Sequence, residues 1–311
     1  MNKKLFLRLL GPIIFLFIVY FYVDLNQLRE IVAKLIWYFY LLSILLCPLL
    51  ILVRSFRWHR ILAKYDIFYS VWQCFRIYFV EMLTIMVVAT IGTFIKAAYL
   101  KRDGHGLLRP TLSVIGEKYF DFLLPLVFGV TSAILIVLKL QPDLCLIILL
   151  FVTFLMFAPA RKFIRIFDFS KIPTFVKKML PKSIWNSLEH IIDIERVLDF
   201  NTYALSVAGF AIYYLTIFLL AIGLRIDLSF SQIVLIMTVT SLISLIPLSF
   251  FGIGTRDAGL LIVFNWFNHT PEEAIALSMA LLLVRIAVVF MGSIFWFMDP
   301  LQLTKLKRIR Q

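Results

Sequence analysis

Ile246-Pro-Leu-Ser-Phe-Phe-Gly-Ile-Gly-Thr-Arg-Asp257 interrupts an otherwise apolar stretch with a helix-stopping Pro247, two flexible glycines, Gly252 and Gly254, and the adjacent charges Arg256 and Asp257. A helix facing lipid has no use for these residues. Broken backbone at membrane depth is tolerated only where protein or a water-filled cavity satisfies the freed N–H and C=O groups, and a half-helix end placed there offers a partial charge to a ligand. The stretch therefore reads as the lining of a polar site inside a membrane protein. The competing reading is a loop at the bilayer surface, in which Gly and Pro are ordinary punctuation.

The flanking sequence supports a membrane setting. Of the 311 residues, 62% are hydrophobic, where a soluble domain has about half. The fold class expected is all-α, a polytopic integral membrane bundle of about seven to nine hydrophobic segments. The net charge of +13 does not point to nucleic acid, because the cations cluster in short segments between apolar runs, as cytoplasmic loops do. They set orientation and suit contact with anionic lipid headgroups. Cys47, Cys74 and Cys145 are far apart in or beside apolar runs and suggest neither disulfide nor metal site.

Lys3, Lys4 and Arg8 precede an apolar run to about Val23, expected to be a retained first helix with its N-terminus inside. A second helix over about Leu35 to Val53 leads into Arg54-Ser-Phe-Arg-Trp-His-Arg60, read as an inside loop. The run from Val71 to Ile91 carries Arg76 and Glu81, and each mid-membrane charge costs about 3 kcal/mol on insertion scales. If it crossed the bilayer, the basic segment holding Lys96, Lys101, Arg102 and Arg109 would lie outside, against the positive-inside bias. A re-entrant or broken element with Glu81 pointing into the protein resolves both difficulties.

Further helices are expected near Tyr119 to Leu140 and Leu144 to Pro159. Residues 160–202 form a basic cytoplasmic connecting segment, with an amphipathic helix over Ser183 to Phe200 that either lies on the membrane or simply connects. Another run spans Tyr203 to Leu224, and one from about Ser231 leads into the opening stretch. The apolar piece Ala258 to Phe267 reaches only about half a bilayer, so a second re-entrant hairpin, entered from outside, is expected. The last helix, Ala274 to Met298, returns to a basic tail, leaving both termini inside. Two broken elements entered from opposite faces suggest an inverted repeat, with a shared site near the midplane.

Several charges are candidates for that site. Arg54 and Arg57 share a helical face and could grip a phosphate bidentately, or could merely set topology. Glu117 and Asp121, four apart, suit a clamp on those arginines. Arg285, isolated in Leu281-Leu-Leu-Val-Arg-Ile-Ala-Val-Val-Phe290, needs a partner, which Asp257, Glu81 or an anionic headgroup could supply. Lys96 and Arg256 have the same alternatives. His59, His105, His190 and His269 lack metal-ligand spacing, and no nucleophile elbow or nucleotide-binding loop is present. No cofactor, metal or catalytic role is expected.

Four pieces together resemble a known family. They are Arg54 to Trp58, Gly92 to Leu100 with Lys101 and Arg102, Glu117-Lys-Tyr-Phe-Asp121, and Pro247 to Asp257, joined by Arg285 in the last helix. In order and spacing they are similar to the flippase-like transmembrane region of lysylphosphatidylglycerol synthases and its stand-alone relatives. The chain departs from that pattern in having Val87-Val88-Ala89-Thr90 where a proline is usual, Lys118 for arginine, and Asp257 for glutamate. The aspartate keeps the charge with a shorter reach. The resemblance implies one flippase-like transmembrane domain over 1–311, in a prokaryotic inner membrane, with the soluble aminoacyl-transferase domain expected to be absent. It also implies a lipid translocase that binds an anionic headgroup, phospholipid or polyprenyl-phosphate-linked. The substrate path would comprise Arg54, Arg57, Lys96, Arg256, Asp257 and Arg285, with Glu81, Glu117 and Asp121 as supporting ion pairs. The alternative is a non-catalytic subunit that presents lipid to a separate transferase or cell-envelope glycosyltransferase.

Overall fold

In the computed structural model, residues 17, 19–139, 142–155, 197, 199–243 and 254–299 are described. Most of the first apolar run, nearly all of the 160–202 segment, Pro247, Gly252 and the basic tail lie outside them.

Among the described residues the secondary structure is entirely helical. The helices are α1 (Leu25–Ala33), α2 (Trp37–Ala63), α3 (Val71–Val88), α4 (Ile95–Arg102), α5 (Leu108–Val137), α6 (Pro142–Leu155), α7 (Phe200–Gly223), α8 (Phe230–Ile243), α9 (Thr255–Trp266) and α10 (Pro271–Met298), with a 3-10 turn over Ala89–Phe94 between α3 and α4. Four of them, α2, α5, α7 and α10, are long and apolar enough to cross a membrane. Along α2, Trp37, Tyr38, Leu41, Leu45, Leu49, Leu52 and Phe56 recur at helical spacing and are exposed. A water-soluble bundle does not leave such a stripe uncovered. Several buried hydroxyls are satisfied inside the bundle: Ser55 Oγ donates to Ile51 O at 2.6 Å, and Ser43 Oγ reaches Thr216 O on α7 at 3.1 Å. With no water at that depth, such bonds meet the requirement that polar groups find partners within the protein.

Long-range contacts fix the helix directions. At one end, here called proximal, Asp299 just past α10 meets Arg102 at the end of α4 and Arg76 early in α3. Asp199, which caps α7, meets Arg60 and Lys64 at the end of α2. At the distal end, Ile36 N–H donates to Gly223 O at 2.8 Å, and Asp24 N–H to Glu272 Oε1 at 2.8 Å. Thus α2 and α10 run from distal to proximal, while α5 and α7 run the other way.

Two helical hairpins lie between these long helices. The first leaves the proximal end along α3, turns at 89–94 and returns along α4. A Cβ at Gly92 would fall well inside 3.0 Å of the Thr84–Ile85 backbone, and Thr84 Oγ1 donates to Gly92 O at 3.0 Å, so only glycine lets the turn fold back this closely. The second leaves the distal end along α8 and returns along α9 to Thr270. A Cβ on Gly259 of α9 would sit 3.0 Å from Ile243 Cδ1 at the end of α8. The connection, 244–253, falls outside the described residues.

Each hairpin packs against a long helix of the other half, α3 against α10 and α8 against α5. Both contacts close on a glycine in the same register. Phe79, ninth residue of α3, abuts Gly292, twenty-second of α10; Thr238, ninth of α8, abuts Gly129, twenty-second of α5.

Two boundaries differ from the sequence reading. The second helix does not end near Val53: α2 runs to Ala63 and carries Arg54 to Arg60 as helix, not loop. The helix read from Tyr119 begins at Leu108, so Glu117 lies well inside it. In both cases hydropathy drops where charges occur, but Arg57, Glu117 and Asp121 pair across helices and do not need water.

Candidate functional site

The end of α2, the start of α4 and the middle of α3 and α5 converge on a buried charge cluster. Arg57 Nη2 donates to Glu117 Oε1 at 2.8 Å and Asp121 Oδ1 at 2.9 Å. Lys96 Nζ lies 2.6 Å from both Glu117 Oε2 and Glu81 Oε2. It also sits 3.4 Å from the centre of the Tyr78 ring and 5.1 Å from that of Trp58. Arg57, Lys96, Glu81 and Glu117 are all at most 2% exposed. Half-exposed Lys118 completes the set by pairing with Asp121 at 3.1 Å. Three cations thus meet three carboxylates, and the formal charges cancel. Isolated ions here would cost several kcal/mol each in desolvation, about 3–5 kcal/mol being lost when one partner of a buried pair is removed. The cluster fixes how α2, α3, α4 and α5 meet.

A second, smaller cluster forms where α9 begins. Gly254 has φ 93°, a conformation that favours glycine, and its N–H donates to Asp257 Oδ2 at 2.8 Å. Ser278 Oγ on α10 donates to the other oxygen, Asp257 Oδ1. Arg256 Nη2 donates to Ser278 Oγ at 2.6 Å and to Ser278 O at 3.3 Å, with Asp257 Oδ1 at 3.4 Å. Arg256 and Asp257 are 4% and 1% exposed. Arg256 Nε and Nη1 have no hydrogen-bond partner among the described residues. Arg285, exposed on α10 two turns beyond Ser278, lies near enough to act on Arg256 electrostatically.

The structure therefore separates the residues picked out from the sequence. Arg57, Lys96, Glu81, Glu117 and Asp121 come together; Arg256, Asp257 and Arg285 form the other group. Arg54 sits at the edge of the first group: half-buried on α2 and facing Gly209 of α7, it makes no hydrogen bond or ion pair among the described residues but lies near enough to act on Asp121 electrostatically.

Sequence reasoning missed several participants. Ser278 anchors Arg256, and its signal was faint: one small hydroxyl in an apolar helix, on the face that later carries Arg285. Asp299 ties three elements together at the proximal end, accepting from Arg102 at 2.6 and 3.1 Å, while its carbonyl accepts from Tyr99 Oη at 2.8 Å. Asp199 was also passed over. Burial alone would raise its pKa, but hydrogen bonds from Thr202 and Arg60, with the charges of Lys64 and Arg60, hold it below the ordinary carboxylate range. Among the described residues no group of His, Cys, Asp and Glu could hold a metal ion.

A family model, described as "Lysylphosphatidylglycerol synthase TM region", matches residues 8–295. The chain belongs to this family. Both charge clusters and both hairpins lie inside the match, which makes the chain a multi-pass membrane protein of a family related to lipid handling. No curated protein and no solved structure matches it.

Proposed function

We propose that this family member is a lipid translocase of a prokaryotic cell membrane, binding the anionic headgroup of a phospholipid or polyprenyl-phosphate-linked lipid along a polar path between two re-entrant hairpins. The observation that carries this reading is the pair of helical hairpins that start from opposite ends of the bundle, each placing a buried cation, Lys96 or Arg256, as the second residue of its returning helix. Hairpins that stop inside the bilayer are tolerated where they line a site, and opposed pairs mark an inverted repeat. The matching glycine contacts at Gly129 and Gly292 support that repeat. Arg60, Lys64, Arg102 and Arg109 gather at the proximal end, which supports its being cytoplasmic.

In this scheme the first cluster is a lock. Lys96 and Arg57 are occupied by carboxylates and hold the proximal hairpin shut against α2 and α5. Arg54, Arg256 and Arg285 supply the cationic path for the headgroup, while acyl tails stay in hydrocarbon.

The test is headgroup exchange across proteoliposomes, using labelled phosphatidylglycerol beside a neutral lipid. Wild type is expected to move the anionic lipid, and Arg285→Ala to abolish transfer while remaining folded. Folded wild type that moves no lipid, with or without an ion gradient, would overturn translocation and favour the subunit that presents lipid to a separate transferase.

A further inference from the structure

We propose that the bundle parts along one seam: α10 and the proximal hairpin, α3 with α4, move as one body against α2, α5, α7 and the distal hairpin, α8 with α9. The use of that motion for a lipid rests on the translocase reading above, whereas the seam itself rests on how the contacts are distributed. The outgoing leg of each hairpin is packed tightly on one long helix. A Cβ on Gly292 of α10 would fall well inside 3.0 Å of Phe79 O on α3, and the Phe295 ring of α10 lies 6.0, 6.3 and 5.3 Å from those of Trp72, Phe75 and Phe79. Asp299, just past α10, holds Arg76 on one leg and Arg102 on the other. In the second body, Thr238 of α8 abuts Gly129 of α5, and its Oγ1 donates to Pro125 O at 3.0 Å. Trp58 Nε1 of α2 donates to Ser113 Oγ of α5 at 3.3 Å, and Ser43 of α2 reaches α7.

The returning legs reach across the seam instead, Lys96 to Glu117 on α5 and Arg256 to Ser278 on α10. Of the five ion pairs in the first cluster, four join residues of the same body, and Lys96 with Glu117 alone crosses. The hairpin side holds Lys96 and Glu81. The other side holds Arg57 and Lys118 against Glu117 and Asp121, with Arg54 acting on Asp121 from the edge of that same side. Each side is therefore neutral in its paired charges. At the second crossing Arg256 keeps Asp257, and the residue it leaves, Ser278, is uncharged. Parting along this plane strands none of these paired ions, which removes the main cost of separating charges at depth. Tyr78 Oη and Arg57 Nε, one from each body, have no hydrogen-bond partner among the described residues, so water entering the seam offsets part of its opening.

Cys74 reports the seam. Along α3, Trp72, Phe75 and Phe79 share the face on α10, while Cys74, Tyr78 and Glu81, spaced four and three apart, share another. The Cys74 thiol is fully buried and lies near enough to Lys96 and Glu117 for their charges to act on it. The experiment measures how fast a membrane-impermeant maleimide reacts with Cys74 in the full chain in proteoliposomes, with Cys47 and Cys145 replaced by serine. Glu117→Gln, which weakens the crossing pair and leaves Lys96 with Glu81 and Arg57 with Asp121, is expected to speed labelling at least about tenfold. Asp299→Asn, which loosens the hairpin from α10, is expected to leave the rate within about twofold of wild type. Should Glu117→Gln fail to fold, Lys96→Met combined with Glu81→Gln cuts the same crossing with charge balance kept. Spin labels at Gln73 of α3 and Leu108 of α5 should move apart in the variant that cuts the crossing, while labels at Gln73 and Phe297 of α10 keep their separation. Labelling within about twofold of wild type in that variant overturns the seam. So does labelling that Asp299→Asn speeds equally, or a changed separation between Gln73 and Phe297. None of these readouts needs lipid transfer. A seam that opens in a protein that moves no lipid keeps the seam and removes the translocase, and transfer by a chain whose hairpin parts from α10 does the reverse.

Discussion

Lys96 can be removed alone or together with the charge of Glu81, and the structure predicts that the joint removal costs less. Among the described residues, Lys96→Met deletes the only cation that touches Glu81 and leaves Glu117 with Arg57 alone. Three buried or partly buried carboxylates then face two cations, and breaking such a pair costs about 3–5 kcal/mol. Glu81→Gln leaves Lys96 its bond to Glu117, so about 2–3 kcal/mol is expected. Combining the two restores charge balance, with Glu117 still on Arg57, and Met fills much of the volume under the Tyr78 and Trp58 rings. The double variant should lose only about 1–2 kcal/mol, below either single or close to the milder one. The interaction energy of the cycle is therefore about 3 kcal/mol or more in favour of the pair. Denaturant titration in mixed micelles, followed by far-UV circular dichroism, gives all four stabilities. Losses that add within about 0.5 kcal/mol, or a Lys96→Met loss under about 1 kcal/mol, would refute the claim that these charges are dry and coupled.

Two further outcomes follow from the packing and from one carboxylate. Gly129→Ala should cost about 1–3 kcal/mol by overpacking, and less when Thr238→Ala removes two of the three side-chain atoms it would strike. Gly292→Ala should cost about 3 kcal/mol or more with no such rescue, because its new methyl meets the main-chain carbonyl of Phe79. Thermal unfolding of the variants checks both, and equal rescue at the two sites would count against the register described. Asp199 has a depressed native pKa, so its stabilisation is present above the unfolded carboxylate value and is lost as pH falls through the native one. The stability gap between wild type and Asp199→Asn should hold steady from neutral pH to about pH 5 and close below about pH 4. A gap that widens on acidification would reverse the sign of this reasoning.

The sequence by itself determined the class of the molecule, because hydropathy is a local property and membrane helices satisfy their backbone within the segment. It also located the interruptions, since Glu81, Lys96, Arg256 and Asp257 stand out against apolar neighbours. Arg285 stood out in the same way. Helix ends near charges were not legible: Arg57 and Glu117 are 60 positions apart, and only their contact explains why both sit inside helices. Nor could spacing rank the cations. Lys96 and Arg256 look alike along the chain, yet tertiary contacts surround the first with carboxylates and leave donors open on the second. The bond between Arg102 and Asp299 spans 197 positions, and the register of Gly129 and Gly292 emerges only once opposing helices are laid together. Partner choice among buried charges is set by which helices cross where, and that is decided by packing across the bundle rather than by any window of sequence.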